Sequence, residues 1–122
     1  MKKQEEIMGL IETDKILKIE NAKIRKAILG FEDHGILTLE LPLEGDGWGT
    51  YFGGFRMDGA NGMECVKDLL NTMKVGSLDA FSNTYCRTIS DGLGGRVRAI
   101  GHLIEDRWFG FEVFFREHPE LT

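Results

Sequence analysis

Five arginines stand beside glycine-rich turns or aromatic residues. Arg56 closes the run Tyr51-Phe52-Gly53-Gly54-Phe55, Arg87 follows Tyr85, Arg96 and Arg98 follow Gly94-Gly95, and Arg107 precedes Trp108-Phe109. A guanidinium group meets phosphate oxygens two at a time and stacks on a base. Trp48, Phe52, Phe55, Phe81, Trp108 and Phe109 offer flat apolar faces for a ring. Gly53 and Gly54 carry no side chain that would keep an anion from their backbone N–H groups. These residue types together suit a pocket for a small aromatic anion. Singly, each aromatic reads first as core and each arginine as solvated surface, and it is the set that points to a pocket.

The groups that could act on such a ligand do not assemble. Glu32, Asp33 and His34 are neighbours in a turn, where side chains diverge, so they read as a turn-stabilising cluster before a metal site. His102 falls in a predicted strand and reads as a satisfied histidine. Cys65 is on the apolar side of a predicted helix, Cys86 alternates with Tyr85 and Arg87, and no serine sits in a nucleophile elbow. Gly45-x-Gly47-x-Gly49 has the spacing of part of a dinucleotide fingerprint, but strands flank it where a helix should follow, so it reads as a hairpin loop. No Gly-Lys-Ser/Thr follows any glycine run, which removes a P-loop. Two widely separated cysteines make neither a disulfide framework nor a zinc site.

The pattern around these residues predicts an α+β fold: an antiparallel sheet of about five strands, one main helix packed on one face, and a short C-terminal helix. Leu37, Leu39, Leu41 and Leu43 alternate along one strand, and Pro42 puts the end of that strand at a sheet edge or leaving the sheet. Gly53-Gly54 inside the next strand predicts a bulge or a closely approaching partner. Earlier, Leu17 and Ile19 give way to Ala22 and Ile24 with the opposite parity, which predicts a bulge at Glu20-Asn21. Gly30 to Gly35 turns the chain into the leucine strand. Val66, Leu69, Leu70 and Met73 stripe a helix over Gly62–Val75, with Asn61 and Glu64 spaced as a capping box. Strands follow at Tyr85–Ser90 and Arg96–Ile104, then the Asp91–Gly95 loop between them is glycine-rich, and Trp108–Glu117 predicts an aromatic helix ended by Pro119. Residues 1–15 form an N-terminal arm, either a frayed helix or a segment docked on a neighbour, and residues 16–122 a single ligand-binding domain.

The composition fits one globular unit of 122 residues, with 42% hydrophobic and 29% charged residues. A formal net charge of -5 argues against binding to a nucleic-acid polymer, which leaves a basic footprint. The charged N-terminus has no apolar run of signal or membrane-spanning length, so the expectation is a cytoplasmic chain without membrane contact.

Four segments carry a family resemblance: Ile19-Glu20-Asn21-Ala22; Leu29-Gly30 with Glu32-Asp33-His34-Gly35-Ile36-Leu37-Thr38; Phe52-Gly53-Gly54 with Asp58; and Ile100-Gly101-His102 with Trp108-Phe109. With these the chain resembles the small phage Thoeris anti-defence proteins of the first described type, from about Ile16 to Phe115. Gly110 departs from that pattern, where a more polar helix start is expected. The resemblance implies a non-catalytic sponge in the cytoplasm of the infected bacterial host. Such proteins hold cyclic ADP-ribose isomers intact, so that Thoeris defence is not switched on. It also implies a homo-oligomer with ligand sites where subunits meet, and some members hold cyclic oligonucleotides at separate sites.

Residues and resemblance together give a candidate ligand-binding set of Trp48, Phe52, Gly53, Gly54, Arg56, Phe81, Arg87, Asp91, Arg98, Arg107, Trp108 and Phe109, with no catalytic residue, metal or cofactor. Arg56→Ala or Trp108→Ala is then expected to reduce uptake with the fold intact. The competing readings are a nucleotide-cleaving enzyme, with Glu32, Asp33 or His102 as acid or base, and a phage structural or interaction module.

Overall fold

The computed structural model describes residues 1–92 and 95–119, so Leu93 and Gly94 of the second glycine loop and residues 120–122 lie outside the description. Among the described residues the fold is α+β, with three α-helices and a curled antiparallel sheet of seven strands in place of about five. The order is α1 (Gln4–Leu10), β1 (Lys18–Ile24), β2 (Ile28–Phe31), β3 (Leu37–Gly45), β4 (Trp48–Arg56), α2 (Gly62–Met73), a 3₁₀ turn (Leu78–Phe81), β5 (Thr84–Ser90), β6 (Val97–Gly101), β7 (Trp108–Phe109) and α3 (Phe111–Glu117). No helix among them is long and apolar enough to cross a membrane.

The leucine strand β3 organises one half of the sheet. Along one edge it pairs with β4; along the other it pairs first with β2, at Leu37 to Glu40, and then with β1, at Leu43 and Glu44. Leu39, Leu41 and Leu43 are buried, as their alternation predicts. Pro42 is therefore not on an edge strand. It falls between the two stretches paired by β2 and β1, where the missing N–H breaks no ladder, and its carbonyl accepts from Arg25 N–H at 2.9 Å. From β1 the sheet continues through β5, β6 and β7.

Both faces of this sheet are covered, which corrects the expected bulge at Glu20-Asn21. Strand β1 pairs with β5 in unbroken register from Lys18↔Ser90 to Ile24↔Thr84. Ala22 and Ile24 join the main core with Leu39, Leu41, Phe52, Leu69, Phe109 and Phe111, under α2 and α3. Leu17 packs instead with Ile7, Ile89, Ala99, Trp108 and Val113, under α1. The parity switch in the sequence is thus a change of covered face. It also accounts for residues 1–15: Ile7 of α1 is fully buried against the chain's own sheet.

Two helix boundaries differ from the sequence reading. Helix α2 stops at Met73 because Lys74 is left-handed (φ 58°), two residues before Gly76. Asn61 stands at the N-cap of α2 as expected, its carbonyl accepting from Cys65 N–H at 3.0 Å, but its side chain makes no cap bond and its amide donates to the His118 carbonyl at 2.7 Å. At the C-terminus Trp108–Phe109 is a strand, paired with β6 and bridged on its other side by Lys2, and the helix begins only at Phe111. Gly110 permits that break, since a Cβ there would stand 3.0 Å from the Arg98 carbonyl oxygen.

Candidate functional site

Two glycines of β4 make the bulge that the sequence predicts. Leu39 opposes Phe55 while Glu40 opposes Gly53, leaving Gly54 as the extra residue. Both glycines have positive φ, 113° and 85°, and a Cβ on Gly53 would stand 2.5 Å from the Leu39 carbonyl oxygen, whereas Gly54 faces open space. Immediately after the bulge come Phe55 and Arg56. Helix α3 lies alongside, and its i, i+4 spacing puts Phe111 and Phe115 on one side, where both stack on Phe55 (centroids 5.5 and 6.0 Å, interplanar 15° and 28°). The next i, i+4 pair, Phe114 and His118, is also stacked, with centroids 4.2 Å apart.

Between β4 and α3 is an open hollow of about 300 Å³ lined by Phe55, Arg56, Phe115 and His118. Phe55 and Phe115 are only partly buried, so their rings retain accessible surface. His118 Nδ1 faces the Phe114 carbonyl at 2.9 Å and must donate to it, which turns Nε2 away as the remaining ring nitrogen. Arg56 is exposed and ion-paired with Asp58. Phe55 also ends a smaller hollow of about 30 Å³ that includes Tyr51, Gly53 and Arg96, the last ion-paired with Glu112. Of the sequence-derived set, Arg56 lines the larger hollow and Phe52, Gly53 and Arg98 the smaller one, while Gly54 lines neither. Phe115 and His118 escaped the sequence reading, although their spacing from Phe111 and Phe114 was the available signal.

Trp48 and Asp91 lie elsewhere. The two-residue turn Asp46-Gly47 folds β3 onto β4, with Gly45 paired to Trp48, whose indole edge lies against Gly45; a Cβ there would overlap it at 1.9 Å. Trp48 Nε1 is buried without a partner among the described residues. Trp48 lines a hollow of about 100 Å³ with Glu20, Gly49, Thr50, Ser90, Gly92, Gly95 and Val97, so the two glycine loops do approach each other.

The other predicted residues are occupied by the fold. Arg98 and Asp91 form a pair in which each side chain is only 10% exposed, at 3.2 Å. Arg98 also bonds Glu112 (3.0 Å) and the Glu12 carbonyl (2.7 Å), and Thr13 donates to Asp91 (3.2 Å), so one guanidinium ties α3 and residues 12–13 to the β5–β6 connection. Arg107 Nε donates to the Thr72 carbonyl at 3.1 Å, satisfying the open end of α2. Arg87 donates to the carbonyls of His102 and Glu105. Trp108 is 1% exposed and its Nε1 donates to Asp106 at 3.0 Å; Phe81 and Phe109 are buried core. Trp108→Ala would thus open a core cavity costing about 3–5 kcal/mol, and reads out the fold rather than a binding surface.

Glu32, His102 and the two thiols are likewise engaged. Glu32 accepts from the His34 ring at 3.0 Å and from the Ile36 N–H at 3.1 Å, and these bonds hold its carboxyl below the usual range. His102 Nδ1 accepts the N–H groups of Ile104 (3.2 Å) and Glu105 (3.0 Å). Burial pushes the thiols of Cys65 and Cys86 up to about 12. Among the described residues no cluster of His, Cys, Asp and Glu is placed to hold a metal. No protein-family model, curated protein or solved structure matches this chain.

Proposed function

We propose that the chain binds a small aromatic, phosphorylated ligand of the cyclic ADP-ribose type in the β4–α3 hollow and releases it unchanged. The reading keeps the sponge role in the cytoplasm of a phage-infected bacterium, blocking Thoeris defence, that the resemblance implies. The observation that carries it is the pairing of accessible Phe55 and Phe115 rings with Arg56 and His118 around a single hollow of about 300 Å³. That volume is at the small end of the ~300–1,000 Å³ that ligand pockets span, enough for a base and its adjoining ribose phosphate. The rings take the base by stacking, and Arg56 takes phosphate oxygens in exchange for Asp58.

Binding without turnover is preferred to the cleavage reading because two of the three residues that reading names serve the scaffold, Glu32 holding a turn and His102 Nδ1 a loop, and both thiols are buried. Titration calorimetry with a cyclic ADP-ribose isomer tests the placement. Phe115→Ala and Arg56→Ala should each weaken binding by about tenfold or more, the size of one lost stacking or charge-assisted contact. Wild-type affinity in both variants would put the ligand elsewhere, and the Trp48 hollow would be next.

A further inference from the structure

His118 lines a second hollow besides the one between β4 and α3. It measures about 250 Å³ and lies where residues 1–6, α2, β7 and α3 converge. Its floor belongs to the core: Phe109, Val113 and Phe114 are each at most 4% exposed. Its rim is charged, with Glu6, Asp68 and Glu117 against Lys2. Lys2 is engaged by two of these carboxylates, Glu117 at 2.9 Å and Glu6 at 3.9 Å. Asp68 is left over. On α2 it is flanked by Cys65 at i−3 and Thr72 at i+4, both fully buried, so the helix turns it toward the interior and it is itself half-buried. Among the described residues its side chain has no hydrogen bond and no ion pair.

Burial raises the Asp68 carboxyl above its usual range, and the Met1 amine, His118 and Lys2 oppose this from a distance without closing a pair. A carboxylate withdrawn from water is costly unless something hydrogen-bonds it, and buried polar groups ordinarily have that partner. Here no side chain supplies it, and the carboxylate lines a space that a ligand can enter. The rim selects the charge of that ligand. Three carboxylates outnumber Lys2 and the Met1 amine, which disfavours an anion, and a neutral molecule leaves Asp68 without a counter-ion. A bare metal ion is a poor match, because among the described residues no group of three His, Cys, Asp or Glu is placed to hold one. We infer that the hollow binds a small organic ammonium ion, with its charged head on Asp68 and its carbon chain over Phe109, Val113 and Phe114. Both needs of the site are then met: the carboxylate gains a charge-assisted partner, and the apolar floor is covered.

This inference does not depend on the nucleotide reading, and its test uses no nucleotide. n-Butylammonium chloride is titrated into the full chain at neutral pH and constant ionic strength, and backbone amides are followed by proton–nitrogen NMR. The amides around Asp68 and from Phe109 to Phe114 should shift with a dissociation constant of about 1 mM or tighter, as a ligand of this size can reach. Asp68→Asn keeps the shape of the side chain and removes its charge, and should weaken binding at least about tenfold. Because that substitution removes a charge that burial penalises, the variant should melt no lower than wild type, so lost binding is not lost folding. Saturating probe should raise the melting midpoint of wild type and leave that of Asp68→Asn in place. Butanol, which has the chain without the charge, and potassium chloride, which has the charge without the chain, should not move these amides at the same concentrations. No shift with the amine, an equal response in Asp68→Asn, or an equal response to butanol or potassium overturns the inference.

Discussion

The Arg87 guanidinium lies 4.8 Å from the centre of the Trp108 ring and, from there, reaches the carbonyls of His102 (2.9 Å) and Glu105 (2.8 Å). One side chain thus roofs the buried indole and holds the turn that joins β6 to β7. Arg87→Ala removes the ring contact and leaves two carbonyls without their donor, so it should destabilise the chain by about 2–4 kcal/mol. Arg87→Lys keeps the charge but not the planar fork, and should recover less than half of that. Denaturant unfolding of the two variants checks it, and equal stability for all three proteins would remove Arg87 from the scaffold.

Two carboxyls give stability opposite dependences on pH. Glu32 is held below the usual range, chiefly by the His34 ring and then by the Ile36 N–H, so its contribution is present above the ordinary glutamate value and is lost as pH falls through the folded one. Asp68 is pushed up by burial, against the opposing pull of the N-terminal amine, His118 and Lys2. Its ionised form is therefore the costly one, and the cost is present at neutral pH and fades as the group protonates. Following melting midpoints from about pH 7 down to about pH 3, Glu32→Gln should start below wild type and converge with it. Asp68→Asn should start above wild type and also converge. Parallel curves for either variant would mean that its carboxyl has the same affinity for a proton folded and unfolded.

The thiols make a simpler prediction. With both pushed up to about 12 by burial, neither Cys65 nor Cys86 is a thiolate at neutral pH, and both should resist iodoacetamide in the native chain and react in guanidinium. Mass spectrometry of the native reaction reads this directly; rapid single modification would mark a thiol that the fold leaves accessible.

How far the sequence carried this reading depends on whether a signal was local. The alternation of Leu39, Leu41 and Leu43, the Gly53-Gly54 bulge and the stripe of α2 are local, and each is found in the structure; the turn expected over Gly30–Gly35 is there too, but starts at Glu32, since Gly30 and Phe31 are paired in β2. Pro42 and the parity change after Ile19 misled because their meaning depends on which strand lies alongside and on which faces are covered, and neither is written in the neighbouring residues. The candidate site suffered most from the same limit. An arginine next to an aromatic reads alike whether it awaits a phosphate or caps a helix: Arg107 ends on α2 carbonyls, Arg87 on a loop, and Arg98 on Asp91, whereas Arg56 remains at the rim of a hollow. Phe115 and His118 were hidden in an aromatic run whose inner members, Phe111 and Phe114, are core.

The most direct measurement of ligand capture is to incubate the protein with a cyclic ADP-ribose isomer, remove free ligand, denature the protein by heat and chromatograph what is released. The account predicts unaltered ligand recovered in proportion to the protein, and far less from Phe115→Ala. Recovery of a cleaved or transferred product, or of no ligand at all, would contradict it.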